Sequence, residues 1–376
     1  MITPSADSKA IVAYNSPDGK SLNWKLETVQ VRTSLKPHEV LVELKSVGIC
    51  HTDMAFGMQT PIPKIMGHEG SGYVKAVGEA VSVAKIGDPV VLSYSCCGDC
   101  KFCKTDRNSY CTSMSTQNLF GTDDDTTFMT EAGERAEGKF FGQSSFSNIT
   151  VVNESCVVNV KEFDLTEQQM IELAPFGCGI QTGVGAVINA AKAEKGQSVV
   201  VYGMGGVGFA VMMAAKMAGC SPIIAVDLVD SKLELAKTLG ATHTINGAND
   251  QEVHDKIFEL TAGGADLSFE CIGGGKFIEA AVNNCGNLGK VIYLGVSALT
   301  DVVNIPVLPF LLGGKTLISC LEGNAVPQEF VPKMIKWYLE GELPVDKIEK
   351  VYPFEDYMVA LGEIQQGKTI KAILKY

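Results

Sequence analysis

At 376 residues, with 46% hydrophobic and 20% charged side chains, the chain is long enough for two cores and too apolar to be disordered. A formal net charge of −12 argues against nucleic acid as a partner, because its phosphates would be repelled overall. No run is apolar enough to span a bilayer, and "MITPSADSKAIVAYN" lacks the basic start and apolar run of a secretory signal, so a cytoplasmic protein with no membrane partner is expected.

Up to about residue 180 the pattern is short β-like runs broken by Gly and Pro: "VLVELKSVGI", "SGYVKAVG", "DPVVLSY" and "SNITVVNE". The acidic stretch "GTDDDTTFMTEAGERAEG" (121–138) among them reads as a solvated surface insertion. From residue 198 the rhythm changes to strand and helix in alternation. "SVVVYG" precedes the helical "GVGFAVMMAAKMAG", and "PIIAVDL" precedes "DSKLELAKTLG". "ATHTIN" precedes "EVHDKIFELTA", and "ADLSFECIG", "GKVIYLGV" and "TLISCL" are further apolar strands. Strands buried on both faces and alternating with helices predict an α/β unit, a parallel sheet covered on either side. The tail has two helical stretches and ends in "TIKAILKY", a strand expected to return to the first domain. The expected organisation is one β-rich domain of residues 1–180 and 322–376, interrupted by a nucleotide-binding-type unit over 181–321.

The stretch "CCGDCKFCKTDRNSYC" (96–111) carries five of the chain's 12 cysteines. Four of them, Cys97, Cys100, Cys103 and Cys111, are spaced by two, two and seven residues. Two-residue gaps let thiolates converge on one tetrahedral ion through a tight turn, and four sulfurs fill zinc's coordination, so the site is structural. The alternative is a reactive or buried thiol cluster; a reducing compartment disfavours disulfides. Cys96 is the odd one out and is expected to face away.

A second set is drawn from distant parts of the chain: Cys50 in "GICHTDM", His68 in "GHEGSGYVKAVG" and Cys178 in "PFGCGIQTG". Two cysteines and a histidine leave a fourth position for water or substrate, which is how catalytic zinc is built. Asp53 is positioned to accept a hydrogen bond from the far nitrogen of His68 and fix its tautomer. Singly, each has a plainer reading, as a core cysteine or a satisfied polar pair.

"YGMGGVG" follows a strand and opens a helix. Gly203, Gly205 and Gly208, with Gly206 and Val207 in the turn, fit the dinucleotide fingerprint. Asp227 ends the next strand, where an acid can take both ribose hydroxyls of NAD and repel the extra phosphate of NADP. Lys232, a turn into the next helix, is within reach of the ribose. The plainer reading of Asp227 is a helix N-cap.

Taken together, GHE-x2-G-x5-G at 67–78, the four-cysteine lobe and the GxGGVG turn resemble the zinc-dependent medium-chain alcohol dehydrogenases over essentially the whole chain. "GKFFGQSSFSNITVV" (138–152) is most similar to the aryl-alcohol (benzyl alcohol) branch. The resemblance implies a GroES-like β-rich catalytic domain and a Rossmann doubly wound cofactor domain, with the catalytic zinc in a cleft between them. It implies two zinc ions per chain, NAD, a small alcohol or aldehyde substrate, and homodimers or homotetramers. It sets Glu69 behind the metal and Thr52 at the head of a proton relay. Thr182 and Val296 would flank the nicotinamide, and His51 and Lys371 would lie at pyrophosphate-contacting positions. Phe146 and Val296 become candidate pocket residues, and Ser93, where the family is often bulky, implies extra room.

One departure stands out. Many members carry a histidine five residues after the first zinc-ligand cysteine, and here that position is Ala55. The outer end of the usual relay is missing, which makes His51 the nearest titratable group for a proton shuttle. The expected reaction is hydride transfer between NAD(H) and a primary aryl or allylic alcohol or aldehyde. The alternatives are a polyol or glutathione-adduct dehydrogenase on the same scaffold or, from a different class, a zinc-stabilised binding module.

Overall fold

The computed structural model describes every residue except 1–4, 20, 59, 61 and 121–126. The chain divides into two compact units. One comprises Met1–Cys178, Val326–Ile335 and Glu349–Tyr376, the other Gly179–Ala325 and Lys336–Ile348. Lys336–Ile348 thus groups with the second unit, whereas the strand and helix pattern kept the whole tail with the first.

The first unit is built on two sheets. In the larger, Glu39–Gly48 pairs antiparallel with Gly70–Val77, with Ile149–Asn153 and with the C-terminal strand Lys371–Lys375. The returning tail strand expected from "TIKAILKY" is therefore present. Valine recurs in the first three of these strands, where its branched side chain suits a pleated surface. Val40, Val42 and Leu44 join Val74, Val90, Leu92, Val152 and Val157 in one core, while Leu41 and Val47 join another. Each such side chain, fully buried, contributes about 1.5–3 kcal/mol.

The smaller sheet runs in the order Lys64–Ile65, Ser5–Tyr14, Asn23–Arg32, Phe128–Met129, Arg135–Ala136. Its last two strands correct the reading of 121–138 as a solvated insertion. Phe128 and Ala136 are fully buried cross-strand partners in a hairpin, so these two residues of the stretch are core. The acidic part of the same stretch, 121–126, lies outside the described residues. Phe146, a candidate pocket residue, is core too: it is wholly buried with its ring 5.5 Å from that of Trp24.

The second unit holds one parallel sheet of six strands, in the order His243–Asn246, Ile223–Asp227, Val199–Tyr202, Ala265–Glu270, Cys285–Tyr293, Thr316–Ser319. Numbered within the unit this is 3-2-1-4-5-6, the doubly wound dinucleotide-binding order. Val199, Val200 and Val201 are unexposed on both faces of the central strand, as the unbroken "VVV" requires. No single helix among the described residues is long and apolar enough to cross a membrane.

Candidate metal centres and cofactor turn

Both groups of metal-ligating side chains lie in the first unit. The sulfurs of Cys97, Cys100, Cys103 and Cys111 lie within 4.8 Å of one another. Cys100 and Cys103 sulfurs are 3.6 Å apart and those of Cys97 and Cys103 4.0 Å, far beyond a disulfide bond. Zinc–sulfur bonds of about 2.3 Å would set tetrahedral sulfurs about 3.8 Å apart, so the spacing fits that ion. The turn also points amides at the sulfurs: Cys100 N–H donates to Cys97 Sγ, and Cys97 and Ser113 N–H donate to Cys111 Sγ, each over 3.4 Å. The Cys103 and Thr112 amides pull the Cys100 thiol down to about 5, favouring the thiolate that binds metal. Cys96 stays outside the group but is not turned away from it. It packs on the first unit's core, where burial pushes its thiol up while the Gly98 amide and the Cys103 thiol pull it down.

The second group is Cys50, His68, Glu69 and Cys178, with one ligand atom from each again within 4.8 Å of the others. Cys50 caps the helix His51–Phe56, and Asp53 in its first turn ties the group together. Asp53 Oδ2 accepts from Cys50 N–H at 3.0 Å. Its Oδ1 accepts from Gly67 N–H at 2.9 Å and from His68 Nδ1 at 2.8 Å. That leaves His68 Nε2, which is buried without a hydrogen-bond partner among the described residues. A buried orphan nitrogen beside two sulfurs is what a metal ligand looks like before the metal is counted. Burial opposes charge on the ring, but the Asp53 carboxylate and the Cys50 sulfur outweigh it and lift His68 well above the usual histidine range. The Cys178 thiol, with His68 and Lys371, holds Cys50 well below the usual thiol range despite burial.

Two aromatic rings close around the histidine. Phe141 stacks on it at 4.4 Å and Phe140 meets it edge-on at 5.5 Å. These contacts escaped the sequence reading, although both residues sit in the quoted "FFGQSSF". Glu69 is the carboxylate of the group and is wholly buried. A Cβ on Gly48 would stand 2.1 Å from its Oε2, so any larger residue there would have to displace the carboxylate. Lys371 is buried, pairs with the Glu69 carboxylate, and donates to Ile49 O at 3.2 Å. Burial would lower its pKa, but Glu69 and Cys50 reverse this and keep the amine charged. Its partners in the structure are therefore protein groups beside the donor set. His51 and Ala55 are exposed on the same short helix, and Thr52 is half-buried.

In the second unit the glycines behave as the fingerprint requires. Gly203 turns at φ +87°, and a Cβ on Gly208 would stand 1.9 Å from Gly203 O. A Cβ on Gly205 would meet nothing within 4 Å, so its face is open to a ligand. Gly206 and Val207 begin the helix Gly206–Met217. Asp227 is half-buried, its Oδ2 accepting from Met204 N–H at 2.6 Å and its Oδ1 from Val229 N–H at 2.9 Å. It thus leans toward the glycine turn and does not cap the helix Asp230–Leu239, whose N-cap is Val229. Lys232 is half-buried in that helix, Thr182 is buried in the helix Gly179–Gly185, and Val296 is exposed.

Comparison with known proteins agrees with this geometry. Residues 36–162 match the family described as alcohol dehydrogenase GroES-like domain, and 206–340 match zinc-binding dehydrogenase. A geraniol dehydrogenase from Castellaniella defragrans is 34% identical over 375 residues, covering 98% of this chain and 100% of that protein. Among solved structures, an alcohol dehydrogenase zinc-binding domain protein from Burkholderia ambifaria is 37% identical with a TM-score of 0.92, covering 99% of both chains. A benzyl alcohol dehydrogenase from Acinetobacter calcoaceticus is 37% identical with a TM-score of 0.90, over 98% of this chain and 99% of that one. With its GroES-like and Rossmann-type units, the chain belongs to the zinc-dependent medium-chain alcohol dehydrogenases.

Proposed function

We propose that the chain oxidises primary alcohols with an aromatic or allylic group next to the carbinol, and reduces the matching aldehydes, using NAD and a zinc held by Cys50, His68 and Cys178. The observation that carries this reading is the buried donor set whose His68 Nε2 has no hydrogen-bond partner among the described residues. The substrate class rests on the likeness to a geraniol and a benzyl alcohol dehydrogenase, named for an allylic and an aryl primary alcohol. When bound, zinc supplies Lewis acidity to the alcohol oxygen and NAD supplies the hydride acceptor.

The chain's own residues do the rest. Asp53 keeps the His68 proton on Nδ1, so the Nε2 lone pair stays free to ligate. Phe140 and Phe141 keep water off the ring. Lys371 balances the buried Glu69 charge. The Thr52 hydroxyl would accept the substrate proton while releasing its own toward the cofactor ribose, and exposed His51 would hand it to solvent. In the other unit the glycine turn admits pyrophosphate and Asp227 accepts the ribose hydroxyls. Cys97, Cys100, Cys103 and Cys111 hold a second zinc with a structural part only, since four sulfurs leave no open position. None of the 12 cysteines is paired, in keeping with a cytoplasmic setting.

The active form is a homodimer or homotetramer. The strand Thr316–Ser319 is a sheet edge, and beside it in sequence Val307, Leu308, Leu311 and Leu312 are 63–79% exposed. A terminal strand of the sheet and an exposed apolar face in one segment suit a second copy related by a two-fold axis. Sedimentation of the enzyme and of Leu308→Asp tests this; a monomeric parent contradicts it. For substrate class, NADH formation is followed with benzyl, cinnamyl and geranyl alcohols against ethanol, sorbitol and a glutathione–formaldehyde adduct. The reading expects the highest kcat/KM among the first three, and higher values for any of the others overturn it.

A further inference from the structure

The geometry points to Gln143 as a positioning residue that, through Ser93, holds the His68 and Cys178 donors in register. Gln143 is wholly buried, and both ends of its amide are engaged. Its Nε2 donates to His68 O and to Ser93 O, each over 2.9 Å. Its Oε1 accepts from Gly70 N–H at 3.3 Å and from the Ser145 hydroxyl. These partners settle which end is nitrogen, because two carbonyls need donors and an amide and a hydroxyl need an acceptor. One side chain thus grips the backbone on both sides of Glu69 and also the end of the strand Pro89–Leu92.

Ser93 carries the connection onward. Its Oγ donates to Gly177 O at 2.6 Å, one residue before Cys178, and its N–H donates to Cys156 O at 2.9 Å. Ser93 is therefore a brace. Asp53 joins Cys50 to His68, and Gln143 with Ser93 joins His68 to Cys178, so all three donors share one buried frame.

The backbone is shaped for this contact. Gly67 and Gly70 flank His68 and Glu69, and Gly67 has φ +86°. A Cβ on Gly67 would stand 2.3 Å from Phe146 N, and one on Gly70 would stand 2.5 Å from Ser145 Oγ. Both glycines let the segment 143–146 lie directly on the donor segment, where Ser145 N–H reaches Gly67 O at 2.8 Å and Phe146 N–H reaches Met66 O at 3.0 Å. Displacements of about 0.5 Å in such a donor set already matter for function.

This inference rests on the assignment of a zinc to Cys50, His68 and Cys178, and the test separates the two. Zinc transfer from the full chain to a chromogenic chelator should show two phases, and Cys178→Ser should lack one of them. If Cys178→Ser keeps both, the metal assignment fails and the inference with it. If the assignment stands, Gln143→Met should speed that same phase by about 10–100-fold and leave the other unchanged. Ser93→Ala should act in the same direction by a smaller factor. Ser147→Ala deletes a buried hydroxyl contact with Ser8 away from the donors and should move neither phase. With cobalt(II) in the exchangeable site, the d–d bands should shift in Gln143→Met and not in Ser147→Ala. An unchanged phase and unchanged bands, or equal acceleration of both phases, overturns the role of Gln143. Should Gln143→Met fail to fold, Ser93→Ala decides the matter by the same criteria.

Discussion

His68 Nδ1 lies 2.8 Å from Asp53 Oδ1, and neither side chain is exposed to solvent. Asp53 also takes the amides of Cys50 and Gly67, so one carboxylate fixes where two donors stand and which nitrogen of the ring is presented.

Asp53→Asn should therefore do more than remove a charge. The amide can offer an N–H to Nδ1, which moves the ring proton to Nε2 and blocks it as a ligand. We expect zinc affinity at this site to fall by about 10–100-fold, with kcat/KM falling at least as far. Metal titration and steady-state kinetics on one preparation check it; unaltered affinity would contradict the role of Asp53.

The four-cysteine turn should behave differently. Cys103→Ser should lose one zinc and lower the melting temperature by roughly 5–10 °C, because binding there is part of folding free energy. Calorimetry of Cys103→Ser against Cys50→Ser is the comparison. Equal melting temperatures for the two variants would count against a structural site.

Asp227 leans on the glycine turn through Met204 N–H. Asp227→Gly should lower the NAD-to-NADP ratio of kcat/KM by at least about tenfold, chiefly because NADP improves. If the unmutated enzyme uses both cofactors equally, the ribose assignment goes.

Acid should weaken the first unit through Glu39. Burial would raise its pKa, but Arg32, Lys139 and the Lys36 amide lower it from 4.5 to about 2. A depressed carboxylate stabilises the fold above its unfolded value and loses that contribution as pH falls through the folded one. The loss should run from about pH 5 down to about pH 2 and amount to about 2–3 kcal/mol. Glu39→Gln should be less stable at neutral pH and show a flatter stability curve over that window, read by urea unfolding at several pH values.

Much of this was legible because the signals are local or ordered. Cys97 to Cys111 sit in one turn, and the glycines of 203–208 follow a strand and open a helix, so residue type and spacing alone carry the pattern. Asp53 follows Cys50 by three residues, one helical turn, which made its contact with the donor set readable. Gln143 was not readable, since it works by bonding backbone carbonyls, and any residue has those. Phe128 was hidden by its acidic neighbours, because net charge over a stretch says nothing about one ring that turns inward. The pairing of Lys371 with Glu69 was hidden for a similar reason: sequence position marks a cation, but only packing reveals the carboxylate beside it.

The most direct test of the account is zinc stoichiometry measured together with turnover of benzyl alcohol, for the parent chain and for Cys50→Ser. We expect two zinc ions and activity in the parent, and one zinc ion, a folded chain and no turnover in Cys50→Ser. A Cys50→Ser protein that keeps both ions, or keeps its activity after losing one, would contradict a catalytic zinc on Cys50, His68 and Cys178.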